Sequence, residues 1–276
     1  MDGPPRSLHA AVESVLTIYG EMSAVRAAEE TPRLTRRVAA EITKNEAETA
    51  EAGGFVYVRL IGTTADRIVG YCYALPTESA EVVAVRAQRG NALAILKQIR
   101  SLTFDQFELF GARFLSELGV KTSKVTRHSN DQGIDFFGEF SFGQIHAAPE
   151  PFLMLAKDVR LLFAGQAKHY PERSLGPSVV RELVGAVALA RTKTHSKDGI
   201  DLFENLPIRP FTPIVAMLFT TGEITRGANH LAASAGVVAK TGLQLAVFLA
   251  DRGVGMRDDA GQPVFCAAEF DIWLRT

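Results

Sequence analysis

From Ser101 onward, apolar residues at helical spacing alternate with short apolar runs, a rhythm that implies a sheet flanked by helices. Phe104, Phe107, Phe110, Phe114, Leu115 and Leu118, closed by Gly119, predict an amphipathic helix over 104–118. Strands are expected at 120–126, 133–140 and, the most apolar of the three, 159–167. A polar turn at 127–132 joins the first two, and the segment 141–158 is longer than a hairpin needs. Pro177 opens a second helix that runs to about Arg191, followed by a polar loop over 192–211. Beyond it the pattern predicts a strand at 214–219, a helix at 224–235, a short strand at 236–239 and a helix at 242–250. Val264, Phe265, Phe270, Ile272, Trp273 and Leu274 make the tail apolar enough to pack on the body. The fold class is therefore α/β, with a mixed sheet flanked by helices.

The first hundred residues have a different texture. Helices are expected at 8–19, 23–29 and 33–51, then a hairpin from 55–60 and 67–73. Three helices followed by a hairpin is the order of a winged helix, and it would put Arg33, Arg36, Arg37 and Lys44 on or beside a helix entering a DNA groove. Two domains follow: a small α+β region over 1–100 that recognises or regulates, open to a partner protein or ligand, and a second domain over 101–276.

Composition excludes several classes. With 47% hydrophobic and 22% charged residues the chain is globular, and no run of about eighteen apolar residues spans a membrane. Met1–Pro5 lacks the order of a signal peptide, so a cytoplasmic protein is expected. Cys72 and Cys266 offer neither a zinc ribbon nor a disulfide framework. Neither a phosphate-binding G-x-x-x-x-G-K-[ST] loop nor a G-x-S-x-G nucleophile elbow occurs. The net charge of −1 argues against coating nucleic acid by bulk charge, although Lys121, Lys124 and Arg127 form a local basic cluster that could meet phosphates.

Two short runs carry the chemistry. Gly133-Ile134-Asp135 and Phe163-Ala164-Gly165-Gln166-Ala167-Lys168 each read as the end of a strand, and Gln166 and Lys168, two apart, share a strand face. Asp135 offers the hard oxygen that Mg²⁺ (or Mn²⁺) prefers, Gln166 a neutral oxygen, and the Ala167 backbone carbonyl a third. Lys168 could orient or deprotonate a water, or stabilise a charged transition state. This is the outline of metal-assisted phosphodiester hydrolysis. Glu108, on the helix before the strands, is the candidate second carboxylate, and Glu182 is read as a surface charge that could face the site. Thr220, Thr221 and Arg226 flank the start of a helix, where an anion such as a DNA phosphate is favoured, although plain helix capping is the commoner use for a threonine there. His169 follows Lys168 and points to the other face.

Taken in order, Phe107-Glu108, Leu118-Gly119-Val120, Asn130–Asp135, Gln166-Ala167-Lys168 and Val180-Arg181-Glu182-Leu183-Val184-Gly185 resemble the catalytic domain of Mrr-like restriction endonucleases, within the PD-(D/E)xK nucleases. The resemblance covers about 105–250 and includes the family's Q-x-K variant, which Gln166 matches. It implies a restriction-endonuclease-like fold, Glu108, Asp135, Gln166 and Lys168 as the catalytic set, Mg²⁺-dependent DNA cleavage, and prokaryotic defence. A homodimer is expected, since two opposed strands need two sites. Repair or structure-selective cleavage, a ligand-activated effector nuclease and a silent nucleic-acid-binding module are the competing readings.

Overall fold

The structure, a computed structural model, describes residues 4–51, 56–70, 72–120, 122–126, 133–141, 159–192, 208 and 211–276. Internal contacts divide the chain into two units, residues 1–93 with 256–265, and residues 94–255 with 266–276.

The second unit is built on a five-stranded mixed sheet of order β4-β5-β6-β7-β8. Its strands are β4 (Lys124–Val125), β5 (Phe136–Ser141), β6 (Arg160–Lys168), β7 (Ile214–Thr220) and β8 (Val238–Lys240). β5 runs antiparallel to β4 and β6, whereas β6, β7 and β8 are parallel, so the ends of β6 and β7 meet at Lys168 opposite Thr220. Two strands are shorter than the pattern suggests. The first keeps only two paired residues of the expected 120–126, and β5 starts at Phe136 because Gly133, at φ +68°, still belongs to the turn.

Helix α5 (Phe104–Glu117) covers one face of the sheet. Its start is fixed by a capping box in which the Thr103 hydroxyl accepts from the Gln106 N–H while the Gln106 side chain accepts from the Thr103 N–H. Phe107, Phe110, Phe114 and Leu115 make its buried stripe. Close approach is possible because Gly111 and Gly165 leave room for the Phe136 ring, against which a Cβ at either position would collide. Phe136 in turn stacks on Phe219 at 5.1 Å, and Phe219 meets Phe114 edge-on at 4.9 Å. Each such fully buried aromatic ring contributes about 1.5–3 kcal/mol.

On the opposite face lie α6 (Pro177–Thr192) and α7 (Arg226–Ala235). Val179, Val180, Leu183 and Ala186 of α6 join Leu162, Ala164 and Leu218 of the sheet in one core. Helix α8 (Gly242–Asp251) is buried along most of its length, and Thr225 and Thr241 cap α7 and α8. The tail ends in α9 (Ala267–Arg275), whose Phe270 and Leu274 are buried and whose Trp273 indole donates to Glu117 at 2.8 Å.

The first unit departs from the expected order. Helix α1 (Leu8–Ile18) is followed by a single 28-residue helix, α2 (Ala24–Glu51), which runs through Pro32. Proline removes one helical hydrogen bond, here the one to the Ala28 carbonyl, yet the helix continues through it. The Thr31 hydroxyl donates to the Ala27 carbonyl at 2.6 Å and the Thr35 hydroxyl to the Thr31 carbonyl at 2.8 Å. Among the described residues two helices, not three, precede the hairpin, and the winged-helix order is not formed. The sheet is antiparallel, of order β1-β3-β2, from β1 (Arg6–Ser7), β2 (Val58–Ile61) and β3 (Arg67–Gly70).

Two helices not expected from the sequence, α3 (Ala80–Arg89) and α4 (Ala92–Ser101), follow. Glu78 anchors the start of α3. Its carboxylate accepts from Arg59 at 2.9 Å, from Arg86 at 2.6 Å and from the Leu75 N–H at 2.8 Å. Burial alone would raise its pKa, but the Leu75 N–H and the two guanidinium groups override it and hold the carboxyl at about 2. The hairpin of β9 (Met256–Asp259) and β10 (Gln262–Phe265) also belongs to this unit. Asn91 pins it, donating to the Pro263 carbonyl at 2.8 Å and accepting from the Phe265 N–H at 3.0 Å. Cys72 and Cys266 are free thiols, and among the described residues no helix is long and apolar enough to cross a membrane.

Candidate active site

The site forms where β5 begins and β6 ends. Asp135 donates its N–H to the Gly165 carbonyl at 2.8 Å, the last backbone bond of that ladder before the chain turns at Gly133. Two residues further along β6, the Ala167 N–H has no strand opposite it and donates instead to Asp135 Oδ2 at 2.7 Å. A side-chain carboxylate thus takes the place of a backbone acceptor, which fixes Asp135 at the edge. By the pleat, the Ala167 carbonyl points to the same side, past the end of the ladder. Thr126 holds the turn from the other side, its N–H donating to the Asp135 carbonyl at 2.9 Å and its hydroxyl to the Ile134 carbonyl at 2.8 Å.

Glu108, Asp135, Ala167 and Lys168 line one open cavity of about 720 Å³, with Phe104, His169, Tyr170 and Arg173 at its wall. α5 therefore brings Glu108 to the cavity that Asp135 lines at the strand ends. Lys168 is partly covered, and its ammonium donates to Glu182 Oε1 at 3.0 Å.

Gln166 is placed differently from the expectation of an oxygen offered to the cavity surface. It is 1% exposed and does not line the cavity. Its amide nitrogen donates to Glu182 Oε1 at 2.6 Å, and its oxygen, also buried, has no hydrogen-bond partner among the described residues. Gly133 closes over this pair: a Cβ there would stand 3.2 Å from Ala186 Cβ, 3.4 Å from Gln166 Nε2 and 3.7 Å from Glu182 Cγ.

Glu182 is thus part of the site and not a bystander on the surface. The signal for it lies in α6, where Val179, Leu183 and Ala186, all buried, place position 182 at the edge of the sheet-facing stripe. His169 meets Phe104 and Phe107 edge-on at 5.3 and 6.1 Å and borders the cavity.

Of the residues expected to contact DNA, Lys121 and Arg127 lie outside the described residues, and Lys124 is exposed on β4. Thr221 is 0% exposed at the end of β7, with its carbonyl accepting from Arg100 at 3.2 Å, so its hydroxyl cannot reach a phosphate. The threonine at the start of α7 is Thr225, whose hydroxyl accepts from the Ala228 N–H at 3.3 Å, followed by the exposed Arg226. Among the described residues no three His, Cys, Asp or Glu side chains are grouped to hold a metal, so a cation here has to draw on neutral oxygens as well.

Residues 99–196 match the family described as restriction endonuclease, so the resemblance read from the motifs holds for this segment, which contains Glu108, Asp135, Gln166, Lys168 and Glu182. Solved structures similar to the chain include MspJI restriction endonuclease in complex with a 27-mer oligonucleotide, at 20% identity and a TM-score of 0.39, covering 73% of this chain and 38% of that one. They also include the DNA modification-dependent restriction endonuclease AspBHI, at 20% identity and a TM-score of 0.42, covering 67% of this chain and 39% of that one. The chain spans less than two fifths of the length of either. Comparison with curated proteins finds no match.

Proposed function

We propose that the second unit is a DNA endonuclease that hydrolyses phosphodiester bonds with Mg²⁺ (or Mn²⁺), acting in prokaryotic restriction or defence. The observation that carries this reading is the convergence of two carboxylates, a strand-end carbonyl and an ammonium on one cavity, within a segment of restriction-endonuclease type. The donor set fits a hard cation. Asp135 and Glu108 supply charge, the Ala167 carbonyl points past the ladder, and Gln166 keeps a buried oxygen that lacks a partner among the described residues. An oxygen left so costs about 1–3 kcal/mol, which a cation or its water would offset. When bound, such a cation makes a water more acidic and neutralises charge on the non-bridging oxygens.

The chain's own groups supply the rest. Lys168 brings a positive charge to the same wall, where it stabilises the pentacoordinate phosphorus or orients the attacking water. Lys124 and Arg226 are exposed and able to meet backbone phosphates. Two copies of the chain would cut both strands, and the first unit would serve to recognise DNA or to receive a partner or ligand.

Purified protein incubated with supercoiled plasmid and Mg²⁺ or Mn²⁺ should nick or linearise it. Lys168→Ala should lower the rate by about 10²- to 10⁴-fold with the melting temperature nearly unchanged, and Asp135→Ala should lower it as far while also costing about 1–3 kcal/mol of stability, because the Ala167 N–H loses its acceptor. Plasmid that stays intact with both metals, on methylated and unmethylated DNA alike, would overturn the reading, and binding without cleavage would mark a silent module.

A further inference from the structure

Glu182 was not among the residues expected to act, and we propose that it is the positioning residue of this site. It decides which end of the Gln166 amide faces the cation and holds Lys168 beside it. On the nuclease reading above, this explains how a glutamine can stand where a carboxylate would otherwise be needed.

An amide has two unlike ends. Its nitrogen only donates and its oxygen only accepts, whereas a carboxylate only accepts. Glu182 Oε1 stands 2.6 Å from Gln166 Nε2, so turning the amide over would set two acceptors face to face. At 1% exposure, water cannot compensate for that clash. Gly133 packs against the pair on the Gln166 side, close enough that a Cβ there would stand 3.4 Å from Gln166 Nε2. The Gln166 oxygen is therefore held away from Glu182, as the buried acceptor left without a protein partner among the described residues. A glutamate at position 166 would present an oxygen whichever way it turned. A glutamine requires an outside acceptor, and α6 provides it.

The same Glu182 oxygen also accepts from Lys168 at 3.0 Å. One carboxylate oxygen thereby orders both polar members of the Gln-Ala-Lys run. Glu182 is half exposed, so it can be replaced without opening a core cavity, and Lys168 can leave it when a phosphate offers stronger charge.

The test is Mn²⁺ binding by calorimetry to metal-free protein without DNA, run beside plasmid cleavage as a function of Mn²⁺ concentration. Glu182→Ala should weaken Mn²⁺ by about 10- to 100-fold, the range seen when a group that orients a ligand is removed. Glu182→Gln, which keeps an acceptor oxygen for Gln166 Nε2, should recover most of that loss. In a Gln166→Ala background, Glu182→Ala should cost clearly less, because only Lys168 is left for it to hold. Glu182→Ala binding Mn²⁺ as tightly as wild type overturns the assignment, as does Glu182→Gln falling as far as Glu182→Ala, the behaviour of a direct ligand. Wild type that cuts DNA while these variants match it sinks Glu182 alone; wild type that neither binds Mn²⁺ nor cuts sinks the nuclease reading with it.

Discussion

At the scale of single residues, two glycines and a phenylalanine set how near α5 can come to the strand ends. Gly111 and Gly165 both lie against the Phe136 ring, and a methyl at either would overlap it. Gly165→Ala should therefore destabilise the protein by about 1–3 kcal/mol through overpacking, visible as a lower urea midpoint. Because Gly165 also accepts the Asp135 N–H, cleavage should fall along with stability. An unchanged midpoint would mean that the ring rotates away cheaply. Asp135 and Lys168 could be brought together from the sequence alone, since each ends a strand and strand ends share an edge. The burial of Gln166 could not, because it depends on Glu182, which reaches it from α6 fourteen or more positions later in the chain. Thr221 misled for a similar reason: the expected helix start was two residues early, and Thr225 took the capping role.

Among the elements, legibility follows the apolar stripe. α5, α6 and β6 carry dense buried patterns and form close to where periodicity puts them. α3 has no buried residue, and its Val82, Val83 and Val85 stay exposed, so its apolar positions do not mark a core face. α2 shows the opposite failure, a local breaker overruled: Pro32 sits within a continuous helix whose packing on α1 outweighs one lost bond. What fixes α3 is charge, through Glu78 and its two arginines. A carboxyl held at about 2 in the folded state and near its ordinary 4.5 when unfolded adds stability that is fully present above the higher value. That contribution should be lost as pH falls from about 5 towards 2. Glu78→Gln should flatten this part of the urea-midpoint profile; a profile with the same slope as wild type would show that Glu78 does not carry it.

For the whole molecule, the chain does not visit its two units one after the other. It leaves the second unit at Gly255, adds the β9–β10 hairpin to the first, and returns at Cys266. Asn91 fastens that hairpin with two hydrogen bonds, so Asn91→Ala should cost about 1–3 kcal/mol and raise the hydrogen-exchange rate of the Phe265 amide. An unaltered Phe265 rate would show that strand pairing alone holds the hairpin. The interleaving also bears on inheritance. A domain strung at the start of a chain can be traded between genes by one recombination event, but here such an event would strand ten residues of the old partner inside the newcomer's sequence. A successful exchange needs three junctions at once, one after residue 93 and one on each side of the hairpin, so the two units should diversify together, by point changes in both, more readily than by shuffling.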